Sequence, residues 1–285
     1  YLFIMVMSEF HPSNIALNWY GDGPESEGYG PCMNCGHRDC DLFYKPFFGY
    51  WTGEKIDSEV LLLGEAPGGN SDGGRSKKNA SDERNELDSV ESDWFTRESK
   101  RSLTNIADPS DNGFQLPQDF IEDLLSKDIH TYYTNVKKCN DIHSDNGEQT
   151  YESARANCNT YLFEELEAVD PSVVVVFSSK TQGKGASHNL EYCFEQFGLQ
   201  SVLEKKEKLE SVIPEKENPD SMFPAYEADL GFAVIPAFHF TRTGGHTGQR
   251  AEFDPVDIGR PEKSYSTKWK DRYYDELSDR IAELV

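Results

Sequence analysis

A short apolar run that ends in glycine and proline constrains the fold of this chain more than any other feature. Residues 60–69 are Val-Leu-Leu-Leu-Gly-Glu-Ala-Pro-Gly-Gly. Four branched apolar residues without alternation predict a strand buried on both faces, which is typical of a parallel sheet covered by helices. In such sheets ligands bind beyond the carboxyl ends of the strands, where glycine allows close approach of the backbone. The segment after this strand is therefore either a ligand-binding loop or an ordinary tight turn.

Three further segments predict strands and alternate with helical patterns. The predicted strands are residues 132–136, 173–177 and 232–236. The predicted helices are residues 94–107, 117–126, 151–169, 192–197 and 266–284. Strands that alternate with helices predict an α/β fold, here a three-layer α/β/α arrangement around a central, mainly parallel four-stranded sheet.

The length and composition favour one domain. A chain of 285 residues with 36% hydrophobic content can build one substantial core. The predicted domain spans residues 32–285 and follows a poorly structured lead-in at 1–31. Residues 70–93 are predicted to be a polar insertion, and residues 204–217 a charged excursion or solvated face. No apolar run reaches membrane-spanning length, so we expect a cytoplasmic protein.

The chain is strongly acidic, with a net charge of -23 and a pI near 4.6. Such a charge normally argues against a nucleic-acid partner, because two polyanions repel each other. The acidic residues are spread over most of the chain, as on a halophilic protein, although 17 of the 28 basic residues are Lys, which such surfaces usually avoid. At molar salt the Debye length is about 3 Å, so local charge decides which partners bind.

Three stretches without acidic residues follow predicted strands. They are Lys137-Lys138, residues 178–190 and residues 231–251. Loops that follow parallel strands share one edge of the sheet. We therefore expect a surface at that edge that is kept clear for an anion such as a phosphate backbone.

The six cysteines are better explained by metal binding than by disulfides if the protein is cytoplasmic. The most specific pair is Cys32 and Cys35, because two intervening residues place two thiolates on one ion or cluster. A thioredoxin-type redox pair has the same spacing, but it follows a strand and begins a helix, whereas glycine and charged residues follow here. Zinc and an iron–sulfur cluster both accept four thiolates, so the spacing leaves the metal open.

Several motifs occur in a specific order. They are Cys32-x-x-Cys35, the segment from Glu59 to Gly68, Thr134-Asn-Val-Lys-Lys-Cys139, Cys158 followed by Tyr161-Leu and Glu165-Leu, and Pro171 before a valine strand. In this order they resemble the iron–sulfur uracil-DNA glycosylases of archaea and thermophilic bacteria, family 4 of that superfamily. The resemblance covers residues 32–182 and resumes near 232–242, and the acidity suggests a haloarchaeal member.

The resemblance implies a DNA repair enzyme with a three-layer α/β/α fold. The implied activity is hydrolysis of the N-glycosidic bond of uracil in DNA. We expect no lyase chemistry, because no lysine lies in the pocket motifs, and we expect a monomer. The implied cofactor is a [4Fe-4S] cluster, with zinc as the alternative. Its implied ligands are Cys32, Cys35, Cys139 and Cys158.

The resemblance also implies roles for residues of the substrate pocket. Asn135 matches the asparagine that reads the base, although an asparagine can equally close a strand turn. His239 matches the histidine that hydrogen-bonds uracil O2, although a loop histidine bonded within the protein fits the sequence as well. Glu65 would help to place the attacking water, and Phe95 would stack on the uracil. The pocket wall would consist of Gly64, Ala66, Pro67 and Gly68.

The loop after the last strand has the residues that DNA binding requires. Phe240 is suited to wedge into a base step, and Arg242 and Arg250 are suited to contact phosphates. Lys180 and Lys184 provide further positive charge after the preceding strand.

Three positions depart from the family pattern, namely Ser71 where an acid is usual, Trp94-Phe95 in place of Pro-Phe, and His239-Phe240 in place of His-Pro. Because of these departures, two alternatives to a glycosylase function stay open. One is a superfamily member that binds DNA or links to it covalently through His239 or a neighbour. The other is a non-catalytic iron–sulfur protein with a nucleotide or protein partner.

Overall fold

A computed structural model of the chain describes residues 50–52, 58–65, 115–138, 147–178, 188–204, 223–238 and 265–285. The chain divides into two compact units. Unit 1 comprises Tyr1–Tyr50, Ala66–Lys100 and Thr134–Asp170, and unit 2 comprises Trp51–Glu65, Arg101–Tyr133 and Pro171–Val285. The single domain over residues 32–285 stays a prediction.

The described elements alternate between strands and helices, as the sequence predicts. In chain order they are β1 (Tyr50–Trp51), β2 (Val60–Gly64), α1 (Gln115–Ser126), β3 (Thr131–Asn135), α2 (Gly147–Val169), β4 (Val173–Ser178), α3 (His188–Gln196), α4 (Gln200–Glu204), β5 (Tyr226–Glu227), β6 (Ala233–Phe238) and α5 (Tyr265–Ala282). The predicted helix at 94–107, the lead-in at 1–31 and the insertion at 70–93 lie outside the described residues.

The strands form one sheet in the order β1-β3-β2-β4-β6-β5. Strand β4 pairs in parallel with β2 on one side and with β6 on the other, while β5 runs antiparallel to β6. The mainly parallel α/β fold is therefore confirmed. The sheet has six described strands rather than four, because β1 and β5 are two residues long and carry no periodicity that a sequence pattern could reveal.

Both faces of the central strands in unit 2 are buried. Every residue from Val60 to Leu63 and from Val173 to Phe177 is fully shielded from solvent. Leu62, Val175 and Ile235 belong to a core that also contains side chains of α1 and α5. Burial of a side chain of this size stabilises the fold by roughly 1.5–3 kcal/mol, so these strands contribute substantially to the stability of unit 2.

Helix α3 packs against β4 and contributes a second set of buried residues. These are Leu190, Cys193 and Phe194, followed by Phe197 in the turn that ends the helix. Phe197 contacts Phe232 edge to face, with ring centroids 5.2 Å apart. Gly198 ends this segment with a φ of 76°, a left-handed conformation that glycine adopts without a steric penalty.

The described part of unit 1 consists of Tyr50, residues 134–138, helix α2 and the turn at Asp170. The buried positions of α2 recur at helical spacing: Ala154, Arg155, Cys158, Tyr161, Leu162, Glu165, Leu166 and Val169. Glu165 is the acidic residue in this otherwise largely apolar stripe, and it is fully buried. A carboxylate in such a position needs a partner, since an unpaired buried charge is very costly.

None of the helices in the described ranges is long and apolar enough to cross a membrane.

Candidate active site

The parallel strands of unit 2 end at one edge of the sheet. Gly64, Ser178 and Phe238 are the last residues of β2, β4 and β6, and Ser178 is in register with Phe238. Gly64 is buried, and Glu65 directly after it is partly exposed. The carboxyl edge of a parallel sheet is where ligands of open α/β folds bind, so Gly64 and Glu65 occupy positions suited to a binding loop.

Asn135 is the last residue of β3 and belongs to unit 1. It is only 2% exposed, although asparagine usually lies at the surface. Its backbone carbonyl accepts a hydrogen bond of 2.7 Å from Nζ of Lys138. The predicted base-reading residue is therefore at a strand terminus, buried, and held through its own main chain.

The side chain of Lys138 makes three hydrogen bonds inside unit 1. Besides the Asn135 carbonyl, Nζ donates to Oγ1 of Thr134 over 2.7 Å and to Oε2 of Glu165 in a salt bridge. The Thr134 hydroxyl donates in turn to Oε1 of Glu165 over 2.9 Å. An ammonium group has three donors, and all three are used.

This network of Thr134, Asn135, Lys138 and Glu165, which we call the Lys138 network, is buried throughout. Its members are between 0% and 2% exposed. Removal of two charges from water is offset only when the pair has good geometry and further hydrogen bonds satisfy the remaining atoms. Thr134 and the Asn135 carbonyl provide those hydrogen bonds.

Cys158 lies on the buried face of α2 and is 5% exposed. Its Sγ accepts a hydrogen bond of 3.4 Å from the backbone N–H of Lys138. Hydrogen bonds from main-chain N–H groups to cysteine sulfur are one of the features that adjust iron–sulfur sites. Cys139 is the next residue in the sequence, so this hydrogen bond joins α2 to the segment that leads to a second predicted ligand.

Comparison of the sequence with models of protein families identifies the superfamily of this chain. A model of the uracil DNA glycosylase superfamily matches residues 51–240 of the chain. The chain belongs to the uracil-DNA glycosylase superfamily. No curated protein sequence matches it. The superfamily membership predicted from the motifs is thus confirmed, and a glycosylase-like function on DNA follows from it.

The superfamily match covers some predicted site residues and not others. Residues 51–240 include Glu65, Asn135, Cys158 and His239, whereas Cys32, Cys35, Arg242 and Arg250 lie outside the matched range. Assignment to family 4, which depends on the four cysteines, stays a prediction.

One expectation about DNA binding is wrong. The sequence predicts that Lys137-Lys138 contribute to an anion-facing surface at the sheet edge, but Lys137 is 1% exposed and Lys138 is 2% exposed. The ammonium of Lys138 is bound to Glu165, Thr134 and the Asn135 carbonyl, so it is not available to a phosphate. No acidic residue lies between Asp128 and Asp141 in the sequence, but Glu165 reaches Lys138 from the following helix.

The described residues include only part of the predicted site. Gly64, Glu65, Asn135 and Cys158 are described, with Asn135 and Cys158 both bonded to Lys138. The predicted site residues that lie outside the described ranges are Cys32, Cys35, Ala66, Pro67, Gly68, Phe95, Cys139, Lys180, Lys184, His239, Phe240, Arg242 and Arg250.

Sequence reasoning missed the roles of Thr134, Lys138 and Glu165. A signal for Glu165 was present, because it lies seven residues after Cys158 on the apolar stripe of a helix. A carboxylate at such a position predicts a buried cation nearby.

Proposed function

We propose that the protein removes uracil from DNA by hydrolysis of the N-glycosidic bond and leaves an abasic site. Superfamily membership supports a glycosylase-like function, and the position of Asn135 supports the choice of a pyrimidine base. The proposal thus depends on one observation above all, namely a buried asparagine at the end of β3 in a member of this superfamily.

The reaction requires a group that reads the extruded base. A glycosylase holds the base outside the duplex and stabilises the negative charge that develops on it as the sugar–base bond breaks. The Asn135 amide offers a donor for uracil O4 and an acceptor for uracil N3–H. Cytosine presents the opposite pattern at these two positions, so an amide in a fixed orientation distinguishes the two bases.

Other residues complete the proposed mechanism. His239 hydrogen-bonds uracil O2 as charge develops there, and Glu65 orients the attacking water. Phe95 stacks on the uracil, and Gly64, Ala66, Pro67 and Gly68 line the pocket. The partial exposure of Glu65 next to a buried strand end supports its role, since the attacking water must reach it.

The hydrogen bonds of Lys138 support a monofunctional enzyme. Lyase activity requires an amine with a free electron pair to attack the sugar. Lys137 and Lys138 are the lysines nearest to Asn135 along the chain, and both are buried. All three ammonium N–H donors of Lys138 bind protein acceptors. Its use as a nucleophile would require disruption of a buried ion pair, so we propose that water is the nucleophile.

We also propose an iron–sulfur cluster on Cys32, Cys35, Cys139 and Cys158. Cys158 fits this role, because its sulfur is buried and accepts a main-chain N–H hydrogen bond. Four thiolates also suit zinc, which is the alternative metal. When bound, the group would join the N-terminal segment to β3 and α2 and would contribute to folding.

DNA binding is proposed for the loop after β6. Phe240 would enter the base stack, and Arg242 and Arg250 would contact phosphates, with Lys180 and Lys184 after β4 as further contacts. Arg242→Glu should weaken binding to every DNA sequence and reduce the slope of log affinity against log salt by about one unit. An unchanged slope would contradict this assignment.

The function is tested by incubation of the protein with single-stranded DNA that contains one uracil, at high salt. We expect an abasic product that alkali cleaves, with free uracil as the second product. A slowly migrating protein–DNA adduct would instead support the covalent binder, which the departures at Ser71 and His239-Phe240 favour. Intact DNA without an adduct would contradict both functions.

A further inference from the structure

The Lys138 network contains more hydrogen bonds than are needed to neutralise Glu165. One N–H of the ammonium binds the carboxylate, while the other two bind the hydroxyl of Thr134 and the main-chain carbonyl of Asn135. Thr134 also donates to Glu165, so each of the four residues is linked to at least one other member of the network. The two residues at the end of β3 are thereby joined to α2.

We propose that Lys138 and Glu165 are positioning residues that orient Asn135 for recognition of the base. This inference rests on the proposed function, in which the Asn135 amide binds uracil. The ammonium fixes the carbonyl of Asn135, and the carbonyl fixes the peptide plane from which the chain turns after β3. With that plane fixed, the Cα–Cβ bond of Asn135 is restrained, which narrows the directions open to the side-chain amide.

A buried ion pair suits this task better than apolar packing. Apolar contacts are not directional, whereas hydrogen bonds lose strength steeply as their angles change. In a low-dielectric interior a fully satisfied polar network is rigid and specifies one arrangement. Catalysis requires such accuracy, because a displacement of about 1 Å can cost roughly 100-fold in rate.

The main chain of Lys138 extends the same arrangement to Cys158. Its N–H donates to the Cys158 sulfur, while its side chain holds Asn135 and Glu165. Cys158 and Glu165 lie seven residues apart on the buried face of α2. Lys138 therefore has two separate attachments to one helix, and each restrains the turn that follows Asn135.

The inference is tested with a double variant that removes both charges, Lys138→Met with Glu165→Leu. Replacement of a buried ion pair by apolar residues of similar volume often preserves or raises stability. The matched control is Lys127→Met with Asp279→Leu, which removes an exposed ion pair of unit 2. Three quantities are measured for each protein: the thermal midpoint, amide hydrogen exchange, and single-turnover release of uracil over a range of DNA concentrations.

For the double variant we expect a midpoint close to that of the parent and at least a 10-fold loss of exchange protection in the peptide covering residues 131–138. Protection of β4 should be retained. Uracil release at saturating DNA should fall about 100-fold, while the DNA concentration for half-maximal rate stays the same. The control should match the parent in exchange and in rate. Parent-like protection of residues 131–138 together with a parent-like rate would overturn the inference.

Thr134→Val provides a second test if the double variant fails to fold. It keeps both charges and the side-chain shape but removes the hydroxyl that joins Lys138 to Glu165. We expect a smaller loss of protection and rate in the same direction, and no change in either would overturn the inference. If the parent releases no uracil, the proposed function fails, while hydrogen exchange still decides whether the Lys138 network holds the turn after β3.

Discussion

Two lysines of this protein bind carboxylates in opposite surroundings. Lys138 in unit 1 has a side chain 3% exposed, and its partner Glu165 is fully buried. Lys127 in unit 2 is 27% exposed and bridges Asp123 over 2.7 Å and Asp279 over 2.8 Å, with side chains 38% and 72% exposed. The distances at Lys127 are as short as those of strong charge-assisted hydrogen bonds. Burial, rather than distance, distinguishes the two sites.

The difference shows what each ion pair can contribute. An exposed pair is screened by water and salt, and typically contributes about 0.2–1 kcal/mol. A buried pair is close to neutral as a whole, but removal of one partner leaves a charge without compensation. The exposed pair at Lys127 joins α1 to α5, where apolar residues already pack. The buried pair instead fixes a strand terminus that carries a predicted functional residue.

Loss of the metal should have the largest effect of the changes considered. We expect it to lower the exchange protection of the helix that carries the buried ion pair. In the proposed arrangement Cys158 binds the metal and also accepts the Lys138 N–H. We expect Cys158→Ser to abolish the brown colour of an iron–sulfur protein and to lower the exchange protection of α2, whereas α5 keeps its protection. Colourless parent protein with stoichiometric zinc would exclude the cluster but retain a metal site.

Loss of the lysine should lower the free energy of unfolding by several kcal/mol more at the buried pair than at the exposed pair. Lys138→Ala leaves Glu165 buried without its cation, which should lower the free energy of unfolding by about 3–5 kcal/mol. Lys127→Ala should lower it by at most about 1 kcal/mol. Urea denaturation of both variants measures these values. Equal losses would show that burial does not govern the difference.

The exposed pair should also respond to acid. Burial alone would raise the pKa of Asp123, but hydrogen bonds from Lys127 and Ser278 and the charge of Lys127 outweigh it and lower this pKa below its ordinary value of 3.8. Its contribution is present above the unfolded pKa and is lost as the pH falls through the lowered folded pKa. The small stability difference between the parent and Lys127→Ala should therefore shrink as the pH falls below about 4. A constant difference in urea denaturation down to pH 2 would contradict this.

The smallest effect is expected at Glu164, next to the buried carboxylate. Partial burial, followed by the charges of Glu165 and Glu167, raises the pKa of Glu164. A raised carboxylate pKa means that ionisation at neutral pH destabilises the fold, and this penalty is relieved as the pH falls through the folded pKa. Glu164→Gln should stabilise the protein by a few tenths of a kcal/mol at neutral pH, within the range of about ±0.5 kcal/mol typical of surface changes. Its thermal midpoint should lie slightly above that of the parent at pH 7 and coincide with it in acid.

Much of the fold follows from local patterns in the sequence. The run from Val60 to Leu63 is buried on both faces as its composition predicts, because an apolar strand without alternation has no face suited to water. Helix α2 begins at Gly147 rather than residue 151. The residues of its first turn are Gly-Glu-Gln-Thr, which show no apolar periodicity that could predict this start. Strands β1 and β5 are too short to show periodicity.

The candidate site could be predicted in position but not in its contacts. Asn135 stands out because it lies at the end of a predicted strand, and Cys158 because of its place among the cysteines. The pairing of Lys138 with Glu165 connects residues 27 positions apart, and no local pattern specifies such a contact. In a chain with 51 acidic residues, one further glutamate is inconspicuous until its place on the buried face of α2 is considered.

Single-turnover release of uracil by Asn135→Asp tests the central claim most directly, that the residue at the end of β3 reads the base. The carboxylate cannot donate to uracil O4, so the barrier should rise by about 2.7–4 kcal/mol, which is roughly 100- to 1,000-fold in rate. Lys127→Ala is the matched control and should release uracil at the parent rate. A rate for Asn135→Asp equal to that of the parent, in protein with a parent-like thermal midpoint, would remove Asn135 from the pocket and contradict the account.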